Sequence, residues 1–440
     1  MKNKLIILLC LFQTLAIFSQ EDAAMQLSLD EAIIYATENN RTIKNADLSI
    51  LAAKHQVWET TARGLPQING AVDYSIYLKR PFDVSSFEPD NPFLFLFPKH
   101  NLTPSVTLSQ LIFDGGYLVG LQANKVFMEI SKNAKDKTVN EIEKSIISTY
   151  TNTLLTKESI AITKDNISVL QANLDETKKI FENGLTEEEN LEQLQLTLSS
   201  LEINLKNLET LLDISKGYLN VLLGRSPDAP LVLTDSLDQL LTENMVLDLV
   251  TTDFPVTNNI DYKIAANEVE SKALEYKLEK SNQLPKVNAF LTSNYLGYSD
   301  AFSNYFTSDQ DWLFTTVGGV SINVPIFSSN GGKARRERAK VEWEKSKNDL
   351  ILTKNQLELD IQNAQNAYNL AIETFANRQK NLALAEKIER KNSIKFKEGI
   401  ASSFDLRQAQ LQLYTSQQEY LQSIIEVINK KAELQNLINI

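Results

Sequence analysis

Two segments of the chain, 215 residues apart, share one arrangement around a single glycine. The first reads FENGLTEEENLEQLQL over residues 181–196, and the second reads FKEGIASSFDLRQAQLQL over residues 396–413. In both, a phenylalanine lies three residues before the glycine, and leucines and glutamines recur at matching positions after it. The chain is therefore internally duplicated, and in each copy one glycine separates two helical segments.

The segments before these glycines are far longer than the helices of ordinary globular domains. Residues 121–183 contain neither proline nor glycine, and residues 333–440 contain no proline and only one glycine, Gly399. A helix of about 60 residues spans roughly 90 Å, because each residue adds 1.5 Å. These runs predict two very long helical hairpins whose far ends lie near residues 184 and 399.

The helices that return from the two glycines carry apolar lines at coiled-coil spacing. After Gly184 a leucine seam recurs at alternating spacings of three and four: Leu191, Leu194, Leu198, Leu201, Leu205, Leu208 and Leu212. After Gly399 there are two lines, one through Leu406, Ala409, Leu413 and Ser416, the other through Leu411, Tyr414, Leu421, Ile425 and Ile428. Two lines on one helix predict neighbours on both sides, as in a helical wall.

Each half of the chain opens with a shorter helix that ends at a proline. In LSLDEAIIYATENN, Ser28 and Glu31 have the S-x-x-E spacing of a capping box. The apolar face of this helix is marked by Ala32, Ile33, Ala36, Leu48, Leu51 and Ala52. Proline stops a helix, so Pro66 in GLPQ and Pro285 in QLPK are predicted to be switches from helix to strand.

After each proline the apolar period becomes alternating, which predicts strands at about residues 67–78, 104–113, 286–297 and 314–326. Strands of about ten residues, apolar on one side and small or polar on the other, suit the wall of a membrane barrel. A soluble hairpin with one face on a core is the common alternative. Aromatic residues near the strand ends favour the membrane: Tyr74, Tyr77, Tyr295, Tyr298, Phe113 and Phe327.

Residues 1–20 are predicted to be a secretory signal peptide, with two lysines, an apolar run too short to cross a membrane, and small residues near Ser19. They include Cys10, the only cysteine, so the exported protein has no disulfide. Two structural repeats follow, residues 21–230 and 231–440, each with a helix, two strands and a long hairpin. No later segment offers about 18 consecutive apolar residues, so the protein is soluble or crosses a membrane as strands.

Four strands cannot close a barrel, and open strand edges are not tolerated in lipid. The chain must therefore pool its strands with copies of itself. Two copies would give eight strands, whose interior is filled by side chains, whereas three copies would give twelve and can leave a lumen.

The sequence resembles the TolC family of outer-membrane efflux proteins. The resemblance covers nearly all of the mature chain and rests on LSLDEAIIYATENN, the GLPQ and QLPK switches, IFDGG after a returning strand, the two glycine segments and the duplicated order. One departure is Arg41, where the family often has proline. The joint order of these features is more specific than any one of them.

The resemblance implies a mainly α-helical protomer that gives four strands to a trimeric, 12-stranded β-barrel in the outer membrane, above a coiled-coil α-helical barrel in the periplasm. It implies a passive exit duct in a tripartite efflux or type I secretion system. The partners would be a periplasmic adaptor (membrane fusion) protein, an inner-membrane transporter and outer-membrane lipid. The rival hypothesis is a periplasmic coiled-coil scaffold or pump adaptor without a membrane barrel, which should show only a single hairpin.

The resemblance also assigns roles at the two tips. Family members hold an aspartate six residues past the second glycine, where it contributes to a constricting ring, and Asp405 occupies that position. Gln408 replaces a second aspartate, and Asn190 stands at the equivalent place in the first tip. A ring of three Asp405 side chains would favour cations. Alternatively, Asp405 only favours the dipole at the start of its helix, and one residue can do both.

The expected adaptor contacts are residues of the two turns: Gly184, Leu185, Gly399, Ile400, Ala401 and Ser402. Turn geometry alone would also explain residues of these types.

Catalysis has no support in the sequence. The only histidines are His55, expected to be structural within a helix beside Trp58, and His100, expected in an exposed loop. No phosphate loop or metal-ligand spacing occurs, so no cofactor or metal is predicted. The basic stretch KARRERAK at residues 333–340 is a poor nucleic-acid site in an exported chain of net charge −12. It is expected to meet acidic lipid or neighbouring helices.

Overall fold

The structure is a computed structural model that describes residues 24–79, 99–245 and 254–438. The predicted signal peptide and most of the loop after the first predicted strand lie outside the described residues. The chain forms two compact units. We call residues up to Leu48, Asn133–Lys263 and residues from Leu352 the helical unit, and Ser49–Lys132 with Ile264–Ile351 the sheet unit.

The same order of elements occurs twice along the chain. The first half contains β1 (Met25–Leu27), α1 (Leu29–Asn39), α2 (Arg41–Ala62), β2 (Gln67–Ile76), β3 (His100–Phe113), α3 (Gly115–Glu182) and α4 (Glu188–Leu222). The second contains β4 (Leu231–Leu233), α5 (Leu237–Asn244), α6 (Ile260–Ser281), β5 (Lys286–Ser299), β6 (Trp312–Asn323), α7 (Gly331–Lys397) and α8 (Ser403–Ile438). Short 3-10 helices lie at Val256–Asn258 and Phe302–Phe306.

The two longest helices coincide with the two proline-free runs of the sequence. α3 has 68 residues and α7 has 67, and each is followed by a turn and a returning helix. The leucine seam of α4 faces inward: Leu194 and Leu198 are buried against Leu170 of α3. The coiled-coil prediction for this hairpin is therefore confirmed.

The first helix of the mature chain is divided where the sequence predicts one continuous run. The predicted capping box at its start is confirmed, since Glu31 N–H donates to Ser28 Oγ at 3.3 Å and Ser28 N–H donates to Glu31 Oε2 at 2.8 Å. Asn40 then leaves the helix, with φ −58° and ψ 132°, and its side chain caps α2. Leu48 and Leu51 belong to the predicted apolar face of this helix, but they are 61% and 48% exposed. At these positions the predicted face is not covered within one chain.

The sheet unit contains one four-stranded sheet in the order β2-β3-β5-β6, antiparallel throughout. Its central pair joins the two halves of the chain, with Thr107 of β3 opposite Thr292 of β5. β2 and β6 are the edges. The observed strands lie within a few residues of the predicted ones.

β3 begins four residues earlier than predicted, and this places His100 in the sheet. Its side chain is buried, and Nδ1 lies 2.7 Å from the Tyr74 hydroxyl oxygen on β2. The expectation of an exposed loop histidine is wrong, because the strand pairs as far as Ile76 opposite His100. His55 lies in α2 as predicted, but its side chain is exposed.

The core of the helical unit surrounds a short parallel pair, β1 with β4. Tyr150 of α3 is fully buried there, and its hydroxyl donates to Leu27 O and to Asp235 Oδ2, both at 3.0 Å. Asp235 also accepts from the backbone N–H of Leu29 at 2.7 Å. Burial raises the pKa of Tyr150, so the neutral hydroxyl is kept as the donor that ties α3 to β1 and to the segment that follows β4.

Candidate channel wall and gate

The two edge strands of the sheet are exposed on both faces within one chain, while many residues of β3 and β5 between them are half-buried. Every residue of β2 is exposed, and so is every residue of β6 except Gly319. A sheet packed on a soluble core would instead bury alternate residues along each strand. The soluble hairpin considered as an alternative is therefore not what this sheet forms.

The two faces of the sheet differ in polarity, as the strand register makes clear. Cross-strand partners share a face, so one face carries Ile68, Val72, Val106, Leu108, Leu291, Val320 and Ile322. The opposite face is polar on β2 and β3, with Asn69, Asp73, Ser75, Thr103 and Thr107. On β5 and β6 it mixes Thr292 and Ser321 with Phe290, Leu296, Leu313 and Val317. Thr107 and Thr292 form a hydroxyl–hydroxyl hydrogen bond of 3.1 Å on that polar face. One apolar and one polar surface are what a barrel wall presents to lipid and to an aqueous lumen.

The two predicted switches lie at the junction of helix and sheet. Pro66 comes directly before Gln67, the first residue of β2, and Pro285 comes directly before Lys286, the first residue of β5. Before each proline the helix ends in a tight turn, in which the N–H of the preceding leucine donates to a carbonyl three residues earlier.

The two hairpin turns have the same backbone geometry. Gly184 and Gly399 both have φ +71°, in the left-handed region that favours glycine. The N–H groups of Leu185 and Ile400 each donate to a carbonyl five residues earlier, at 3.1 and 2.8 Å. This is the Schellman arrangement that ends α3 and α7.

At the second tip, Ser402 and Asp405 form a reciprocal cap at the start of α8. Asp405 N–H donates to Ser402 Oγ at 3.2 Å, while the Ser402 hydroxyl and N–H donate to Asp405 Oδ2 at 2.7 and 3.1 Å. These hydrogen bonds lower the pKa of the exposed Asp405 carboxyl below its ordinary value. Asp405 therefore caps its helix and remains ionised. Gln408 is exposed one helical turn further along.

The first tip lacks this cap. Glu187 is the N-cap of α4 and makes no side-chain capping hydrogen bond. Asn190, at the position equivalent to Asp405, donates through Nδ2 to Thr186 Oγ1 at 2.8 Å. Its Oδ1 accepts a hydrogen bond from the buried Ser403 hydroxyl of the second tip. Asn190 thus links the two tips and carries no charge.

Large apolar side chains are exposed at both tips. Leu185 is 77% exposed and Ile400 is 75% exposed. The structure adds Phe404, 56% exposed, with the Arg407 guanidinium 5.4 Å from its ring centroid. Phe404 is not among the tip residues predicted from the sequence, although an aromatic residue in the first turn after a tip is a usable signal.

Two buried asparagines occupy equivalent places in the two halves, and the sequence analysis assigned them no role. Asn40 Nδ2 donates to Leu222 O at 2.6 Å, and Asn259 Nδ2 donates to Leu437 O at 2.8 Å. The Oδ1 of each accepts the backbone N–H two residues later, at 2.7 Å in both cases. Each asparagine therefore caps one helix and binds the last turn of another.

The family model described as "Outer membrane efflux protein" matches residues 33–225 and 257–439, which is most of the chain. The chain belongs to the outer membrane efflux protein family. The resemblance to TolC-like proteins drawn from the sequence is thereby confirmed. Among curated proteins, no sequence matches this efflux protein significantly.

Solved channel structures share the fold of this efflux protein at low sequence identity. CusC superposes with a TM-score of 0.74 at 16% identity, covering 94% of this chain and 92% of CusC. CmeC from Campylobacter jejuni gives 0.73 at 15% identity, with 93% and 85% covered. VceC from Vibrio cholerae gives 0.72 at 15%, with 93% and 95% covered.

Family membership places this efflux protein in the outer membrane, with its helices extending into the periplasm, as an outer-membrane channel of efflux systems. Its family consists of passive channels, which work in general with adaptor proteins and inner-membrane pumps. The rival hypothesis of a scaffold or adaptor does not hold. An adaptor should have a single hairpin, whereas this chain has two.

Two further findings concern only the described part of this efflux protein. No cluster of three or more His, Cys, Asp and Glu residues there could hold a metal ion. None of its helices is both long and apolar enough to span a membrane.

Proposed function

We propose that three copies of this chain assemble into one continuous exit duct across the outer membrane and the periplasm. Each copy, built from the repeats 21–230 and 231–440, gives four strands to a twelve-stranded barrel and two hairpins to a helical tunnel. The duct is passive, and the inner-membrane partner of an efflux or type I secretion system supplies the energy.

The open sheet carries this proposal. β2 and β6 are each hydrogen-bonded on one side only within the described chain, and their side chains are exposed on both faces. Unpaired backbone groups cost several kcal/mol each in hydrocarbon, so the edges must pair with other copies. Eight strands would be filled by side chains, whereas twelve leave room for a polar lumen.

Exposed apolar stripes on the helices support the same assembly. α4 exposes Leu196, Ile203, Ile214 and Tyr218, and α7 exposes Leu352, Leu359, Leu370 and Leu384. Leu196 and Ile203, like Leu352 and Leu359, are separated by seven residues, the coiled-coil repeat. Covering these stripes with a second copy would complete a continuous helical wall.

The tips are the proposed docking and gating elements. Leu185 and Ile400 are exposed side chains that an adaptor can cover, on turns formed by Gly184, Gly399, Ala401 and Ser402. At a threefold axis, three ionised Asp405 carboxylates with Gln408 one turn further would form a ring that favours cations.

The assembly is tested by the mass of the full chain in detergent, measured by light scattering or native mass spectrometry. We expect three copies per particle. A folded monomer with an intact circular dichroism spectrum would overturn the proposal, because a lone four-stranded sheet cannot line a pore.

The gate is tested by conductance in planar lipid bilayers under a salt gradient. Asp405→Ala should lower the preference for cations several-fold, while Asp228→Ala, which removes an equal charge from an exposed turn, should leave it unchanged. An unchanged reversal potential in the Asp405 variant would reject the ring but not the duct.

A further inference from the structure

The helix-side end of the sheet carries exposed apolar side chains that nothing in the described chain covers. β6 ends at Asn323, and beyond it Ile326 is 93% exposed and Phe327 is 85% exposed. At the same end of the sheet, Ile112 of β3 is 60% exposed, and Leu65 and Leu284, just before β2 and β5, are both 45% exposed. We call these five residues the apolar rim.

A cationic segment follows the apolar rim directly. The first turns of α7 contain Lys333, Arg335, Arg336, Arg338 and Lys340 with a single acidic residue among residues 333–340, in a chain of net charge −12. We call these five residues the basic collar. Four of the five are exposed, and Arg336 is half-buried.

Ion pairs account for only part of the basic collar. Arg335 lies 3.4 Å from Glu279 of α6, Arg336 lies 3.0 Å from Glu337, and Lys340 lies 3.8 Å from Glu344. Lys333 and Arg338 have no ion-pair partner among the described residues, and each is exposed. Two cations are therefore available for a ligand, beside an apolar surface.

Helix stability does not explain the basic collar. The N-terminal turn of a helix carries a partial positive charge, so cations there are unfavourable and acidic residues are preferred. α7 has no acidic residue in its first turn, a feature it shares with α2 and α3, and it carries a lysine there, Lys333. Lys333, the basic residue in the first turn, is therefore placed against the local electrostatic preference.

We propose that the apolar rim and the basic collar together bind anionic phospholipid of the periplasm-facing leaflet, with the collar on the phosphodiester headgroup and the rim among the acyl chains. The inference rests on the membrane placement of the sheet. Continuity selects a lipid as the occupant, because Ile326 continues the two-residue alternation of Val320 and Ile322 along the chain, and the collar begins six residues after Phe327. Exposed aromatic and apolar side chains followed by basic ones mark a membrane interface.

Native mass spectrometry of the full chain in detergent tests this with two lipids, phosphatidylglycerol and phosphatidylethanolamine, added separately. We expect wild type to retain several-fold more phosphatidylglycerol. Lys333→Gln/Arg338→Gln should lower that retention by about tenfold or more, since each basic residue near an anionic surface contributes roughly fivefold. Phosphatidylethanolamine retention should not change.

The matched control is Lys380→Gln/Lys387→Gln, which removes two exposed cations more than 40 residues further along α7. Equal retention of the two lipids by wild type, or an equal loss in the control, would overturn the proposal. So would full displacement of phosphatidylglycerol by millimolar glycerol 3-phosphate, which would identify a site for soluble phosphate. A loss of oligomer mass in the collar variant alone, with lipid retention unchanged, would instead make the collar a contact between copies.

Conductance of the same variants separates this proposal from the channel itself. Both double variants should still form pores in planar bilayers. If wild type forms pores but shows no lipid preference, the proposed lipid site is rejected and the proposed channel is not. If wild type does not conduct, the proposed channel itself is contradicted.

Discussion

The two hairpin tips have one backbone and two kinds of chemistry. Gly184 and Gly399 share the same φ of +71° and the same hydrogen bonds around the turn. The second tip continues into a serine–aspartate cap with an ionised carboxylate, whereas the first continues into Glu187, which makes no capping bond, and the uncharged Asn190. Duplication has kept the turn, which sets the path of the chain, while the side chains around it have diverged.

The difference distinguishes two properties of the tips, the backbone conformation of the turn and the side chains that follow it. The turn needs a residue that tolerates positive φ, and both copies meet that demand with glycine. The carboxylate six residues past the glycine is present in the second tip only, whereas the first tip has Asn190 at that position, where it links the two tips through Ser403. Most variants below compare matched positions of the two tips and of the helices that follow them.

The largest effect on the tips themselves is expected from the shared glycines. Gly184→Ala and Gly399→Ala should each destabilise their tip by about 1–2 kcal/mol, because a Cβ is unfavourable in the left-handed region. A Cβ at either position meets no atom within 4 Å, so only the backbone preference is lost and the two losses should be equal. Hydrogen exchange at the Leu185 and Ile400 amides measures both.

Gly224→Ala is the contrasting control. Gly224 also has positive φ, +78°, but a Cβ there would collide with the backbone carbonyl oxygen of Asn39. Gly224→Ala should lower stability by more than either tip variant, and its effect should appear in the free energy of global unfolding. Unequal losses at the two tips would mean that their turns are not equivalent.

The next effect concerns the equivalent glutamines, about two helical turns into α4 and α8. Gln410 is 1% exposed and neither of its amide atoms has a hydrogen-bond partner, whereas Gln195 is exposed. Gln410→Leu should raise the free energy of unfolding by about 1 kcal/mol, since it removes a buried unsatisfied amide and leaves no partner unpaired. Gln195→Leu should have almost no effect. A loss of stability in the Gln410 variant would mean that this amide is bonded in the assembled protein.

The sequence predicts features that depend on local periodicity. The proline switches, the strands and the two long helices follow from residue spacing alone, and the leucine seam of α4 identifies its buried face. The capping box at Ser28 is equally local. The sequence also predicts that one chain cannot close a barrel, because it contains only four strands and lipid excludes open strand edges.

Features that depend on distant partners could not be predicted in this way. His100 is buried because Tyr74 lies opposite on the neighbouring strand, and the break at Asn40 is stabilised by the carbonyl of Leu222, 182 residues away. The Ser402–Asp405 cap is a local pattern that the sequence could also predict. The roles predicted for Asp405 above are only the gate and the helix dipole.

A smaller effect is expected from the caps themselves. Ser402→Ala should destabilise the start of α8 by roughly 0.5 kcal/mol, because an exposed N-cap hydroxyl is lost. Thr186→Ala in the first tip should cost less, since Thr186 Oγ1 only accepts from the Asn190 side chain. Amide exchange in the first turns of α8 and α4 compares them. Equal losses would show that both tips are capped to the same degree.

The smallest effect, and the one specific to the second tip, is its response to pH. Because hydrogen bonds from Ser402 lower the pKa of Asp405 below its ordinary value of 3.8, the capped and charged state persists above that pH and is lost only as pH falls through the lowered pKa. Cation preference in planar bilayers and amide protection at the start of α8 should therefore stay constant from pH 7 to pH 5. Asp405→Asn, which gives the second tip the residue type of Asn190, should have a lower preference that does not change with pH. A cation preference of wild type that changes between pH 7 and pH 5 would contradict this prediction. It would mean that the three carboxylates repel one another more strongly than the Ser402 hydrogen bonds stabilise each of them.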